Sequence, residues 1–241
     1  MGTINKYTPE EILAIFQANY LQQQQFDPEI DPGESLELET TIEEWINICD
    51  LSEPYELSDY FNYFFDLDFS METWLYVMQP KNKKTLGELC NFISEEAFKP
   101  VIVPIKVFGS DCRNAATFKH LISQFSKKGI DAKIQPSSSV ESFAKKHLGI
   151  LIEEVNKLNP ETLPPVKYRE NAWQNLGGYC LLFCVLTAIA SIWISNLGLI
   201  IGGLFGTGIL FYWIGSRFEP KQMSFDGLVT FKDLVLKINN A

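Results

Sequence analysis

One short run of this 241-residue chain gathers the groups from which a reactive site could be built, Gly109-Ser110-Asp111-Cys112-Arg113. A glycine loop entering a helix N-terminus points backbone amides and the positive end of the helix dipole at one place. That arrangement suits an anion and lowers the pKa of a thiol. Ser110, Asp111, Cys112 and Arg113 are therefore the candidate anion-binding or reactive-thiol residues. The competing expectation is that Asp111 or Ser110 caps the helix and Cys112 is buried. His120 on the same predicted helix and His147 on the next could complete a Cys, His and acid trio, but spacing alone does not assemble one. The five cysteines, Cys49, Cys90, Cys112, Cys180 and Cys184, contain no C-x-x-C pair, so neither a disulfide framework nor a zinc site is signalled. No metal, no cofactor and no catalytic residue is assigned, and the chain is not expected to be an enzyme.

The elements that must hold this run are readable from periodicity. Residues 99–108 (KPVIVPIKVF) are apolar and β-branched, and 130–135 (IDAKIQ) alternate, so two short strands are expected around a helix carrying Ala116, Leu121 and Phe125 and ending at Lys127-Lys128-Gly129. That is a small βαβ-like unit. A further helix is expected from about Val140 to Leu158, opened by Ser138 and Glu141, followed by a stiff Asn159-Pro160 and Leu163-Pro164-Pro165 linker.

The first hundred residues read as helical. Thr8 with Glu11, Thr41 with Glu44 and Thr85 with Glu88 each make a capping box ahead of apolar residues at helical spacing, and Ser70 opens a short helix that Pro80 closes. Gln22 to Gln25, with the Asp27-Pro28 and Asp31-Pro32-Gly33 clusters, reads as a polar loop. The aromatics Tyr60, Phe61, Tyr63, Phe64, Phe65 and Phe69 read as core.

Charge is segregated along the chain. Residues 1–100 carry 20 acidic and 5 basic side chains, residues 101–170 carry 7 and 11, and residues 171–241 carry 3 and 4, within a total of -10. Without a basic stripe, a nucleic-acid binder is excluded. The acidic helical region is expected to bind a protein partner. The N-terminal residues lack a basic segment followed by an apolar core and are not expected to form a secretory signal.

Two apolar stretches, Leu176 to Ile194 and Leu197 to Ile214, flank Ser195-Asn196, and no charged residue occurs between Glu170 and Arg217. Each is close to the roughly 20 residues needed to span a bilayer, so an α-helical transmembrane hairpin near the C-terminus is expected. Trp173, Tyr179, Trp193, Tyr212 and Trp213 are read as its interfacial anchors. Lys167, Arg169, Arg217 and Lys221 place both termini on the cytoplasmic side of an inner (plasma) membrane, with the lipid bilayer as a partner. Gly198, Gly202 and Gly206, at intervals of four, are the candidate helix-packing residues, with oligomerisation through the same glycine face as an alternative. Thr230-Phe231-Lys232-Asp233-Leu234 echoes the Thr85 segment and predicts a final amphipathic helix that docks back on the preceding unit.

Two resemblances follow from these motifs. A helix rich in Phe and Leu, an acidic loop and Thr85-Leu86-Gly87-Glu88-Leu89 resemble the last helices of acyl carrier proteins over residues 56–94. The Asp-Ser-Leu that such carriers modify with phosphopantetheine is replaced by Leu57-Ser58-Asp59, so the resemblance implies a helical bundle and no carrier activity. From Thr85 to Pro165, the Gly109-x-x-Cys112, Pro136-Ser137-Ser138 and Leu163-Pro164-Pro165 motifs resemble an uncharacterised family of bacterial membrane-tethered proteins, which brings no activity with it.

The expected fold is thus mainly α with a small βαβ-like α/β unit and a transmembrane hairpin. Its segments are 1–98 acidic and helical, 99–160 α/β, 161–175 linker, 176–214 hairpin and 215–241 tail. The expected function is a membrane-anchored interaction or scaffold module. An accessory subunit of a membrane transport or envelope assembly, and a small anion- or thiol-dependent enzyme, are the alternatives.

Overall fold

The computed structural model describes residues 5–27, 30, 33–51, 53–169, 172–190, 198–218 and 222–240. They divide into two compact units, Met1–Val166 with Phe225–Ala241, and Lys167–Ser224. The acidic region, the α/β segment and the tail from Phe225 fall together in the first unit, while the start of the tail belongs to the second. Pro28, Asp31, Pro32, Trp193, Ser195, Asn196 and Lys221 lie outside the described residues.

The first unit is built from capped helices. In α1 (Pro9–Gln23), α2 (Ile42–Ile48) and α5 (Leu86–Glu96) the N-cap threonine accepts from the amide of a glutamate three residues on, and that glutamate accepts from the threonine amide. Two of the orphan amides of each helix end are thereby satisfied locally. Between α2 and α5 lie α3 (Pro54–Phe65), closed by Asp66 in the left-handed conformation, and α4 (Met71–Met78), opened by Ser70. Of the predicted aromatic stripe, Phe61, Phe64 and Phe65 are core and Phe69 packs against it, whereas Tyr60 and Tyr63 are exposed, their hydroxyl-bearing rings lying at the surface. Phe16 stacks on Trp45 with centroids 5.2 Å apart, and Phe61 lies 5.1 Å from Trp74. The indole of Trp74 is fully buried, and its Nε1–H donates to Asn62 Oδ1 at 3.1 Å, which removes the cost of hiding a donor.

The chain then forms β1 (Ile105–Val107) and β2 (Ser110–Cys112), an antiparallel pair closed by Phe108 and Gly109, both at positive φ. It continues into α6 (Arg113–Lys127) and α7 (Val140–Leu158), the latter kinked at His147. The βαβ-like expectation is corrected here. Residues 130–135 are not a strand, and β1 pairs with β2, a hairpin before the helix, because the turn at 108–109 returns the chain at once. The cap of α7 also shifts by one residue. Ser139 accepts from Ser142, while the Ser138 hydroxyl serves Gln135.

The last helix, α10 (Phe231–Asn240), packs on α6 and α7, as the docking expectation required. Its start repeats an arrangement already present. Thr41 bridges Thr85, with Ile42 N–H donating to Lys84 O, Leu86 to Thr40 O and Gly87 to Leu38 O, each at 2.8 Å. Ser139 bridges Thr230 in the same register, with Val140 donating to Val229 O at 3.1 Å, Phe231 to Ser138 O at 3.0 Å and Lys232 to Pro136 O at 2.8 Å. In both halves two helices start side by side and share their cap backbone. The second half has its own ring cluster, in which Phe125 and Phe143 lie 4.7 Å apart and Phe231 meets Phe143 at 5.4 Å.

The halves are joined through α1. Tyr7 Oη donates to Lys157 O at 2.8 Å and Asn156 Nδ2 to Asn19 Oδ1 at 2.9 Å. Gln22, buried in the last turn of α1, donates to Pro164 O at 3.0 Å and accepts from Val166 N–H at 3.1 Å. The polar loop expected at Gln22 is therefore helical up to Gln23, and the stiff linker is clasped by it as far as Val166.

The second unit pairs β3 (Lys167–Arg169) with β4 (Gln222–Ser224) and packs α8 (Ala172–Ala190) antiparallel to α9 (Gly198–Phe218). Among the described residues no helix is long and apolar enough to cross a membrane. This overturns the transmembrane hairpin and, with it, the multi-pass inner-membrane location with both termini cytoplasmic. The physical reason is that the described apolar length of each helix falls short of a bilayer core. The apolar part of α8 runs from Leu176 to Ala190, about 22 Å at 1.5 Å per residue, against a hydrocarbon core of about 30 Å. In α9 the apolar part ends at Ile214, about 26 Å from Gly198, and Gly198, Gly202, Gly203, Gly206 and Gly208 dilute it.

The packing glycines also differ from those expected. A Cβ on Gly202 or Gly206 would meet nothing within 4 Å, whereas on Gly177 it would lie 2.9 Å from Gly208 O. Gly177 and Gly208 make the close approach because the helices cross there, and the surroundings of Gly198 are outside the described residues.

Candidate functional site

Ser110, Asp111, Cys112 and Arg113 stand together in the structure, in a different role from an anion loop. Ser110, Asp111 and Arg113 are exposed, and Cys112 is half-buried. Cys112 is itself the N-cap of α6, its Sγ accepting from Ala115 N–H at 3.4 Å. The turn is thus capped, but by Cys112 rather than by Asp111 or Ser110, and Cys112 is not fully buried. Among the described residues no hydrogen bond joins Cys112 to a histidine. His147 sits at the α7 kink with its ring 5.2 Å from Phe143, and His120 Nε2 lies 3.5 Å from Gln124 Nε2. Nor do the described residues contain a group of three or more His, Cys, Asp or Glu side chains placed to hold a metal ion.

A larger polar cleft lies between the two halves of the first unit, with a volume of about 450 Å³. Tyr7, Phe64 and Asp66 contribute from the first half, and His120, Glu154 and Lys157 from the second. The Glu153-Glu154 pair on α7 carries the electrostatics beside it. Lys128 Nζ lies 2.5 Å from Glu153 Oε2, 3.1 Å from Glu154 Oε1 and 2.6 Å from Tyr63 Oη. Lys157 Nζ lies 2.7 Å from Glu153 Oε1 and 5.0 Å from the Phe64 ring centroid. Two ammonium groups thus neutralise two carboxylates, of which Glu154 is almost fully buried, the condition under which buried charge is tolerated.

The pKa shifts follow from this packing. Burial would lower the Lys128 ammonium, but its bonds to Glu153, Tyr63 and Glu154 raise it well above the ordinary lysine value. Burial also raises the Tyr7 phenol, with Glu11 and Glu154 adding to the shift. His120 is lowered, chiefly by burial and secondarily by Lys127, against the opposing pull of Glu154. Neutral His120 can accept or donate a hydrogen bond, but the cleft brings it no nucleophile to activate. The Cys49 and Cys90 thiols are both pushed up to about 12 by burial, which keeps them protonated.

The cleft was only partly legible. His120 was a candidate, but Glu153, Glu154, Lys128 and Tyr63 were not, since nothing local signals an ion-pair network spanning 65 positions from Tyr63 to Lys128.

The acidic region has a different kind of surface. Among its described residues, lysines neutralise Glu11, Glu53 and Glu88, while Asp68 and Glu72 are exposed without an ion pair. On the outward face of α4, Tyr76 is 81% exposed, one turn after Glu72, with Met71 beside them 53% exposed. Ser58, the residue nearest to a carrier serine, is buried within α3. No protein family, curated protein or solved structure matches the chain.

Proposed function

We propose that the first unit is a protein-interaction module and that its partner presents a basic, partly apolar surface to α4. The observation that supports this reading is Tyr76, a large amphipathic ring 81% exposed on α4 one turn after the exposed carboxylate of Glu72, with the exposed Asp68 in the loop that precedes the helix. Tyrosines of this kind anchor interfaces, and surrounding charges steer the encounter and set which partners are refused. The competing thiol chemistry has little to work with, because Cys112 is committed to its helix cap and Cys49 and Cys90 are buried.

The test is a photo-crosslinking amino acid placed at position 76 of the full chain in its native cells, with position 106 as control. A defined partner crosslinked only from 76, and lost when Asp68 and Glu72 are both changed to lysine, is the expected result. Equal crosslinking from both positions, or none from 76, sinks the reading.

A further inference from the structure

At the edge of the core of the acidic region lies a half-open, largely apolar cavity that the packing of its helices does not fill. Its volume is about 240 Å³, and it is lined by Phe16 of α1, Trp45 and Cys49 at α2, and Leu51, Leu57 and Phe61 toward α3. A dry apolar cavity of about 150 Å³ is enough for one benzene ring, so this one has room for two fused rings.

Shape favours a flat occupant over a flexible one. The Phe16 and Trp45 planes lie 17° apart, and those of Trp45 and Phe61 22° apart, with centroids at 5.2 and 6.3 Å. Rings aligned in this way let a planar guest continue an offset stack. The thiol of Cys49, held protonated by burial, lines the cavity as an apolar group.

Charge then selects among flat molecules. Asp50 lies between the lining residues Cys49 and Leu51, and Glu56 precedes Leu57. Both are exposed, and neither has an ion-pair partner among the described residues. The first hundred residues carry 20 acidic and 5 basic side chains, so the region as a whole attracts cations.

We infer that this cavity is a binding site for a planar, two-ring aromatic ligand bearing a positive charge. The ring inserts beside Trp45 and Phe16, and the ammonium stays at the mouth near Asp50 and Glu56. This site is separate from the α4 face and does not depend on a protein partner being found there.

Three probes with one ring system and different charge test it on the full-length protein: tryptamine, indole and indole-3-acetate. Binding is read from the shift of the Trp45 indole N–H in proton–nitrogen NMR spectra. Tryptamine is expected to bind saturably and about tenfold more tightly than indole-3-acetate, with the gap narrowing as salt is added. Asp50→Asn with Glu56→Gln should abolish that gap while leaving indole binding unchanged. Leu57→Trp, which fills the cavity, should abolish binding of all three, and Leu51→Phe serves the same purpose if the first variant does not fold. No saturable binding of any probe, binding that survives both filling variants, or equal affinity for all three charges would overturn the inference.

Discussion

The cap pair of the first half, Thr41 with Thr85, and that of the second, Ser139 with Thr230, share one backbone register but enclose very different chain. Between the first pair run α3 and α4, which place Phe61, Phe64, Phe65, Trp74 and Met78 in the core. Between the second pair the chain leaves altogether to form the second compact unit, Lys167–Ser224, and returns at Phe225. What is common to both is the joint itself, two helix starts sharing backbone hydrogen bonds. The joint tolerates whatever chain is placed between its two sides, provided the ends return close together.

The largest test of that asymmetry removes core from the first half. Trp74→Ala should cost about 3–5 kcal/mol in urea unfolding, as a cavity left by a fully buried aromatic does. Excising residues 168–223 and closing the gap with a short glycine-serine linker should by contrast leave the Val140, Phe231 and Lys232 amides protected from hydrogen exchange. Loss of protection there as complete as that caused by Trp74→Ala would end the comparison.

The joint between the halves comes next in size. Glu154→Gln leaves Lys128 with Glu153 as its one carboxylate partner among the described residues, and we expect a loss of about 2–3 kcal/mol. The Lys128 pKa is raised in the folded state. Its contribution is therefore complete below the ordinary lysine value and is lost only as pH rises through the higher folded value. His120 behaves oppositely. Its pKa is lowered on folding, so its stabilising contribution is present above the ordinary histidine value and is lost as pH falls through the lower folded one. A thermal midpoint followed from neutral toward acid pH should fall in the native protein, with a shallower fall in His120→Gln; identical curves would refute the assignment.

A smaller contrast lies inside the two joints. A Cβ on Gly87 would lie 2.9 Å from Leu38 O, a backbone atom that cannot step aside, so Gly87→Ala should cost about 1–3 kcal/mol. Lys232 holds the corresponding place in the second joint, its amide donating to Pro136 O at 2.8 Å. Lys232→Ala should change stability by less than about 0.5 kcal/mol. The caps of the two joints should respond alike. Thr85→Ala and Thr230→Ala each remove one cap and should each cost about 1 kcal/mol, whereas a twofold difference would show that the joints are not equivalent in energy.

Legibility followed range. The capping boxes at Thr8, Thr41 and Thr85 and the echo at Thr230 could be read because a cap closes within three residues. Gln22 could not, since its partners Pro164 and Val166 lie more than a hundred positions away, and a glutamine-rich stretch looks like a loop until something binds its amides. The turn before α6 took a different form from the one expected for a related reason. Glycine at position 109 signals a turn equally well whether the turn opens a helix or closes a hairpin, and only pairing of 105–107 with 110–112 distinguishes the two.

Residue order alone settled most helix starts, the apolar faces and the division of charge, because these depend on neighbours within a turn or two. Tertiary structure alone decided that Thr41 meets Thr85 and Ser139 meets Thr230, that Lys128 is shared by Glu153 and Glu154, and that Gly177, not Gly202 or Gly206, lies at the helix crossing. It also decided the fate of the apolar run. Hydropathy sums side chains along the chain, but a span needs its apolar residues gathered in one sufficiently long helix, and among the described residues neither α8 nor α9 supplies that.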